Sequence, residues 1–241
     1  MKRVSRVLSN LLWPPKCVFC GSFLPLRTAV DACYCSNCIE LSRTSESMAC
    51  LHCNTPLVGL SGKQYCPKCD AKRVYFDGLC APFYYENDVR RSVLLYKRYY
   101  RYSYLKIYAV FMAEQFYNSP SFYDCTCICA VPGWKWENFF SGENRAKHLE
   151  KAIHDVIPLP VLKGALIKKH HTAKQKRLTA KERIKNVKNA YAVVAPEQVK
   201  DQIVLLLDDV YTTGATVNEC ARVLKQAGAK EVYVMTIAMR Q

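Results

Sequence analysis

The chain has 241 residues, half of them hydrophobic and 23% charged, ordinary values for a soluble globular protein able to bury a core in one large or two small domains. No apolar run reaches the roughly 18 residues of a membrane-spanning helix, so no membrane insertion is expected. The net charge of +15 is uneven: residues 163–188 carry ten Lys or Arg against one acid, Glu182, a field that attracts phosphates or simply solubilises a loop.

The opening stretch, "MKRVSRVLSNLLWPPKC", is basic with a short apolar patch. It lacks the apolar stretch of about 7–15 residues and the small-residue cleavage site of a signal peptide, which predicts a cytoplasmic protein. Fourteen cysteines in that compartment read as metal ligands or reactive thiols rather than disulfides. Eight of them form four CxxC pairs: Cys17 and Cys20, Cys35 and Cys38, Cys50 and Cys53, Cys66 and Cys69. Two CxxC turns complete one tetrahedral four-thiolate zinc site, and such a site has no open position for substrate, so its expected role is structural. Chain order groups Cys17, Cys20, Cys35 and Cys38 at one Zn2+ and Cys50, Cys53, Cys66 and Cys69 at another. Interleaved pairing and a single filled site stay open, and Cys33 offers a ninth thiol. His52 lies inside the third pair and reads as a bystander. So small a region has little core of its own, and metal would supply its folding energy.

Residues 1–74 therefore read as a zinc-ribbon region and 75–241 as a second domain. In chain order, "FDGLCAPFYYE" predicts a strand, "NDVRRSVLLYKRYY" and "YLKIYAVFMAEQFY" helices, "CTCICAVPG" a strand and "ENRAKHLEKAIHDV" a helix. "LPVLK" predicts a short strand, "QIVLLLDDV" a long one, "ATVNECARVLKQAG" a helix ended by Gly228, and "EVYVMTIAM" a closing strand. The alternation implies an α/β fold, a mostly parallel sheet flanked by helices. Cys125, Cys127 and Cys129 alternate as in a strand, and Cys80 and Cys220 sit in apolar surroundings as core residues.

Ligands of such sheets bind at the carboxyl ends of the strands. "VLLL" reads as a central strand, and Asp208 and Asp209 follow where it emerges. "YTTGAT" then turns into a helix, whose first amides and threonine hydroxyls make an anion cradle. Gly214 permits the tight turn and close approach of a phosphate. No Walker P-loop motif is present. Paired carboxylates beside a phosphate cradle suit a phosphorylated ribose.

This stretch closely resembles the phosphoribosyl pyrophosphate (PRPP) signature of type I phosphoribosyltransferases. The resemblance implies that Asp208 and Asp209 approach the ribose 2- and 3-hydroxyls, with catalytic roles, while Thr212, Thr213, Gly214, Ala215 and Thr216 wrap the 5-phosphate. It also implies Mg2+ bound with PRPP. With the zinc knuckles "CVFCG" and "CLHCN", nearly the whole chain resembles the ComF family of ComFC- and GntX-like proteins. "LLWPPKCVFCG" is similar to the family's opening, and "YYENDVRRSVLLYKRYYR" to its segment ending in a lysine, here Lys97. "VPGWKWENFFSGENRAKHL" stands in the place of its pyrophosphate loop, and Gln175, Leu178, Arg183, Asn186 and Tyr191 match a further segment. Where the family has Arg-Gly-Phe-Asn-Gln this chain has Ser141, Gly142, Glu143, Asn144 and Arg145, with Lys135, Arg145 and Lys147 as cations that would compensate.

By the same resemblance, the basic segment 168–188 would be a mobile loop closing over the site. His170 and His171 are candidate general acids or bases, or loop surface. Lys97 and Lys135 are candidate PRPP phosphate ligands. Tyr84, Tyr85, Tyr96, Tyr99, Tyr100, Tyr102, Tyr104 and Tyr108 lie among basic residues. They could stack single-stranded nucleic acid, but rings packed by helices on the sheet are the favoured reading. Two functions follow. One is a PRPP-dependent transferase with an unnamed acceptor. The other is an accessory module in competence and DNA uptake, binding single-stranded DNA, a helicase or another competence protein.

Overall fold

The computed structural model describes residues 14–25, 33–40, 43–44, 49–55, 57, 64–71, 73–99, 102–134, 145–171 and 179–240. A five-stranded sheet, parallel throughout, organises them. Its axis is β6 (Ile203–Tyr211), flanked by β3 (Cys127–Ala130) and β7 (Glu231–Met239). The far edge of β7 takes β1 (Gly78–Cys80) and then β2 (Phe83–Tyr84), end to end. The single strand expected over 76–86 is thus broken between Cys80 and Phe83, where Pro82 has no N–H to give a ladder. The expected strand at "LPVLK" reduces to one parallel bridge between Val161 and Ile128.

Residues 203–207 of β6 are apolar without interruption because both faces are covered. Ile203, Leu205 and Leu207 enter one core with α3 (Asn87–Tyr99), α4 (Ser103–Tyr117) and α5 (Arg145–His154). Val204 and Leu206 enter the other, with α8 (Ala215–Gln226) and an antiparallel pair, β4 (Leu166–Lys168) and β5 (Tyr191–Val193). Helix α8 buries Val217, Cys220, Ala221 and Leu224 at helical spacing and ends at Gly228, whose φ of +98° only glycine adopts freely. Tyr84, Tyr96 and Tyr108 are buried, and Tyr85, Tyr102 and Tyr104 pack against the first core. Most of the tyrosine-rich stretch is therefore core; Tyr99 remains exposed.

The pair β4–β5 and α6 (Ala180–Val187) were not legible in the sequence, where 168–188 reads as a lid. Helix α6 is fixed by a capping box, Thr179 accepting from the Glu182 N–H while Glu182 accepts from the Thr179 N–H. Residues 172–178 of the expected lid lie outside the described residues. The N-terminal region adds α1 (Ser36–Glu40) and α2 (Pro67–Asp70). Phe19 packs edge-on against Phe83 with centroids 5.3 Å apart, so the first knuckle joins the α3–α4 core.

Truncating Leu206 to Ala in the doubly covered strand is expected to cost about 2–5 kcal/mol. Val194→Ala, at an exposed position, should stay within about 0.5 kcal/mol. Urea denaturation of both variants checks this.

Candidate functional site

Asp208 and Asp209 occupy the end of β6, half-buried, as the strand leaves its two cores. Lys97, in the last turn of α3, brings its Nζ to 2.8 Å from Asp209 Oδ1. Asp208 Oδ1 accepts from the Asp209 N–H at 2.8 Å. Burial, and next the charge of Asp209, push the Asp208 carboxyl up to about 7, against the opposing pull of the Asp209 amide and Lys97. Burial works against the charge on Lys97, but Asp209 outweighs it and raises its pKa. The Arg145 charge, at the start of α5, reaches Tyr96, the neighbour of Lys97. Lys135 and residues 141–144 lie outside the described residues.

The chain then turns through Thr212, Thr213 and Gly214 into α8. Gly214 caps the helix at φ +72°, a left-handed conformation that a side chain would strain. Thr213 Oγ1 accepts from the Ala215 N–H at 3.4 Å, and Gly214 O from the Asn218 N–H at 2.9 Å. Ala215 is buried and Thr216 half-buried in the first helical turn. Arg183 of α6 donates from Nη1 to Thr212 Oγ1 at 3.2 Å. The structure thus gathers Lys97, Asp208, Asp209 and residues 212–216 at one sheet end. It adds Arg183, which the sequence offered only as part of a motif match. His170 and His171 are exposed after β4. Glu150 of α5 accepts from the Ala130 N–H at 3.0 Å, fixing the end of β3, and burial raises its pKa. An isolated glutamate on a helix gives no sequence signal of this.

The cysteine pairs assemble in chain order. Cys17, Cys20, Cys35 and Cys38 form one group and Cys50, Cys53, Cys66 and Cys69 another, with all four sulfurs of each within 4.8 Å of one another. Cys33 stands outside both groups. Each group joins a knuckle to a short helix. In both knuckles the residue after the second cysteine is left-handed, Gly21 at φ +79° and Asn54 at +54°, and donates back to the first cysteine's carbonyl. Asparagine tolerates that conformation better than most side chains.

These groups fit zinc. Four thiolates about 2.3 Å from a tetrahedral ion have sulfur–sulfur edges of about 3.8 Å. The Cys20–Cys35 edge is 3.8 Å and the Cys53–Cys66 edge 3.5 Å. All these cysteines are free thiols. Crowding sets them against one another: the hydrogen bond with Cys53 pushes Cys69 far up and holds Cys53 at about 5. A cation stabilising four thiolates at once removes that conflict.

A family model, phosphoribosyl transferase domain, matches residues 141–241. Competence protein F of Haemophilus influenzae is 33% identical over 112 residues, 46% of this chain and 49% of that protein. The DNA utilization protein YhgH of Escherichia coli K12 is 33% identical over 107 residues, 44% of this chain and 46% of that one. Competence protein ComFC of Streptococcus pneumoniae is 50% identical over 34 residues, 14% of this chain and 16% of that one. Residues 141–241 are thus similar to a phosphoribosyl transferase domain, and the chain is similar to competence and DNA utilization proteins. It spans about half the length of the first two curated relatives. No helix among the described residues is long and apolar enough to cross a membrane.

A carboxyl with a native pKa of about 7 keeps its proton on folding where the unfolded one, near about 3.9, has lost it. The native state then binds more protons, so stability falls as pH rises from about 4 to about 7. Asparagine at 208 removes the titration and keeps an acceptor for the Asp209 amide. The melting temperature of Asp208→Asn relative to wild type should therefore rise between pH 5 and pH 8 by scanning calorimetry; a constant difference would contradict the raised pKa.

Proposed function

We propose that this chain binds PRPP, or a related ribose phosphate, together with Mg2+ at the end of β6. The observation carrying this is the juxtaposition of two carboxylates with a left-handed glycine turn at the N-terminus of α8. Thr212 to Thr216 take the 5-phosphate on backbone amides and hydroxyls. Asp208 and Asp209 face the ribose hydroxyls, and Lys97 and Lys135 contact phosphate. Mg2+ would supply neutralisation of the pyrophosphate charge. Transfer to an acceptor would break the bond from ribose C1 to the pyrophosphate oxygen and form one from C1 to the acceptor, with the Asp208 and Asp209 carboxylates favouring positive charge on the ribose. Residues 1–74 serve as the metal-binding region, with structural Zn2+ in both four-thiol groups, and 75–241 as the phosphoribosyltransferase domain. The relatives' names, which refer to competence and DNA utilization, support a role in competence, and the proposal adds a cytoplasmic place beside a helicase or another competence protein.

Calorimetric titration of the zinc-loaded chain with PRPP and Mg2+ tests the reading. Saturable binding is expected, weakened at least about tenfold in Asp208→Asn/Asp209→Asn, the scale of a lost charged contact. No binding to folded wild type would overturn it.

A second reading, single-stranded DNA binding without catalysis, is favoured by the outer face of α3. A shallow groove there is lined by Arg90, Arg98, Leu94 and Leu95, with exposed Tyr99 at its end. Cations beside an exposed ring, with Arg98 already 5.5 Å from its centroid, suit a backbone and a stacked base. Tyr99→Ala should weaken oligo-dT binding in fluorescence anisotropy by about 1–3 kcal/mol. An unchanged isotherm would remove α3 from consideration.

A further inference from the structure

The two four-thiol groups stand differently to the candidate anion site. The first packs into the α3–α4 core and meets the beginning of α3, Arg91 donating to Cys20 O at 2.6 Å and the Cys38 thiol to Asp88 at 3.7 Å. Lys97 lies nine residues further along that helix than Asp88, roughly 14 Å at 1.5 Å per residue. The second group has a small cluster of its own, four cysteines and Leu57, with Val74 and Tyr211 packed against it. Tyr211 is the last residue of β6, immediately before the phosphate-loop candidate.

The Tyr211 ring is a wedge. On one side are the thiols; Phe76 meets it edge-on with centroids 6.3 Å apart. On the other is Gly214: a methyl group placed there would stand 2.6 Å from Tyr211 Oη and 2.8 Å from Cε2. The ring therefore touches the loop backbone directly. A second link runs in parallel. Asn218, in the first turns of α8, accepts from the Tyr75 N–H at 2.7 Å and donates to Arg73 O at 3.0 Å. The segment it holds follows Cys69 by only a few residues. Tyr211 also packs on the second core, but on its cysteine side the wall is four thiols and Leu57, so that side of the wedge is firmest when a cation holds the thiols together.

We propose that the Cys50, Cys53, Cys66 and Cys69 group is a metal-dependent brace for the 212–216 loop, with Tyr211 as the positioning residue. Metal at this group and anion at the loop are then coupled, and linkage makes the coupling reciprocal. Naming PRPP as the anion rests on the function proposed above; the brace itself does not.

Amide hydrogen exchange on the full chain separates the two. In the zinc-loaded wild type the 212–216 amides should be protected. In Cys66→Ser/Cys69→Ser, which leaves the first group intact, they should exchange at least about tenfold faster, within the 5–150-fold range of ordinary site coupling, while the last turns of α8 and β7 keep their rates. Tyr211→Ala, with metal content unchanged, should reproduce that acceleration, and Tyr211→Phe should not. The proposal is overturned if the second group binds no ion in the full chain. It is equally overturned if the 212–216 amides exchange alike in all these proteins. Should the cysteine variant fail to fold, the comparison of Tyr211→Ala with Tyr211→Phe decides by itself. PRPP titration then divides the ideas. Failure of PRPP to bind loaded wild type ends the PRPP reading and leaves the brace to the exchange result. Equal PRPP affinity in wild type, Tyr211→Ala and Cys66→Ser/Cys69→Ser ends the brace and leaves the reading.

Discussion

Strand β6 is covered on both faces as far as Leu207, so it can carry no charge until it leaves its cores. The first positions free of that constraint are taken by two carboxylates in succession. Burial, and next the repulsion of the neighbouring Asp209 carboxylate, raise the Asp208 pKa. Asp209 has Lys97 at ion-pair distance, while among the described residues Asp208 accepts a hydrogen bond from the Asp209 amide and feels the Lys97 charge less closely. The site's cations come from separate elements, Lys97 from α3, Arg145 from α5 and Arg183 from α6, each with its own packing to maintain. A ligand that brings hydroxyl donors or a metal ion to the carboxylates and an anion to the loop would complete the charge pattern.

The amino-terminal region solves a different problem. Among the described residues, the second group gathers only Leu57, Val74 and Tyr211 around its thiols. The first borrows more from its surroundings, since Phe19 inserts between Phe83 and Tyr108. Metal-stabilised thiolates supply at a point what a larger domain spreads over a core. That suits a short segment that must hold a fixed shape against a sheet it does not join by strand pairing, apart from the bridge of Arg43 with Phe83.

Periodicity and punctuation made the sheet legible. Five apolar residues before two acids could only be a covered strand and its end, and the spacing of Val217, Cys220, Ala221 and Leu224 marked α8. CxxC spacing marked both thiol groups, and their pairing followed chain order. Legibility failed where tertiary contact overrode local pattern. Three-residue strands such as β4 and β5 pair with each other rather than with the main sheet, and are too short to show alternation. Helix α6 is mostly polar and lies inside the basic run that suggested a lid; the signal that could have found it was the Thr179–Glu182 capping box. Lys97 could be placed at the site only through a resemblance. Tyr211 carried no signal, since a tyrosine at a strand end reads as ordinary packing.

The positions of the two thiol groups give a reason for having two. The components of the anion site sit on elements that approach the end of β6 from opposite faces of the sheet. Lys97 arrives on α3 from the face of Leu205 and Leu207, while the loop continues into α8 on the face of Val204 and Leu206. A parallel sheet fixes its strands by hydrogen bonds, but helices lying on it are positioned only by side-chain packing, which leaves them free to slide by small amounts. The first group anchors the start of α3 through Asp88 and Arg91; the second anchors the start of α8 through Tyr211 and Asn218. One anchor on each face fixes the gap between an ammonium and a phosphate-loop candidate better than two on one face would. The amino-terminal region is then a clamp across the end of the sheet, and its distance from the chemistry in sequence conceals how close it lies in space.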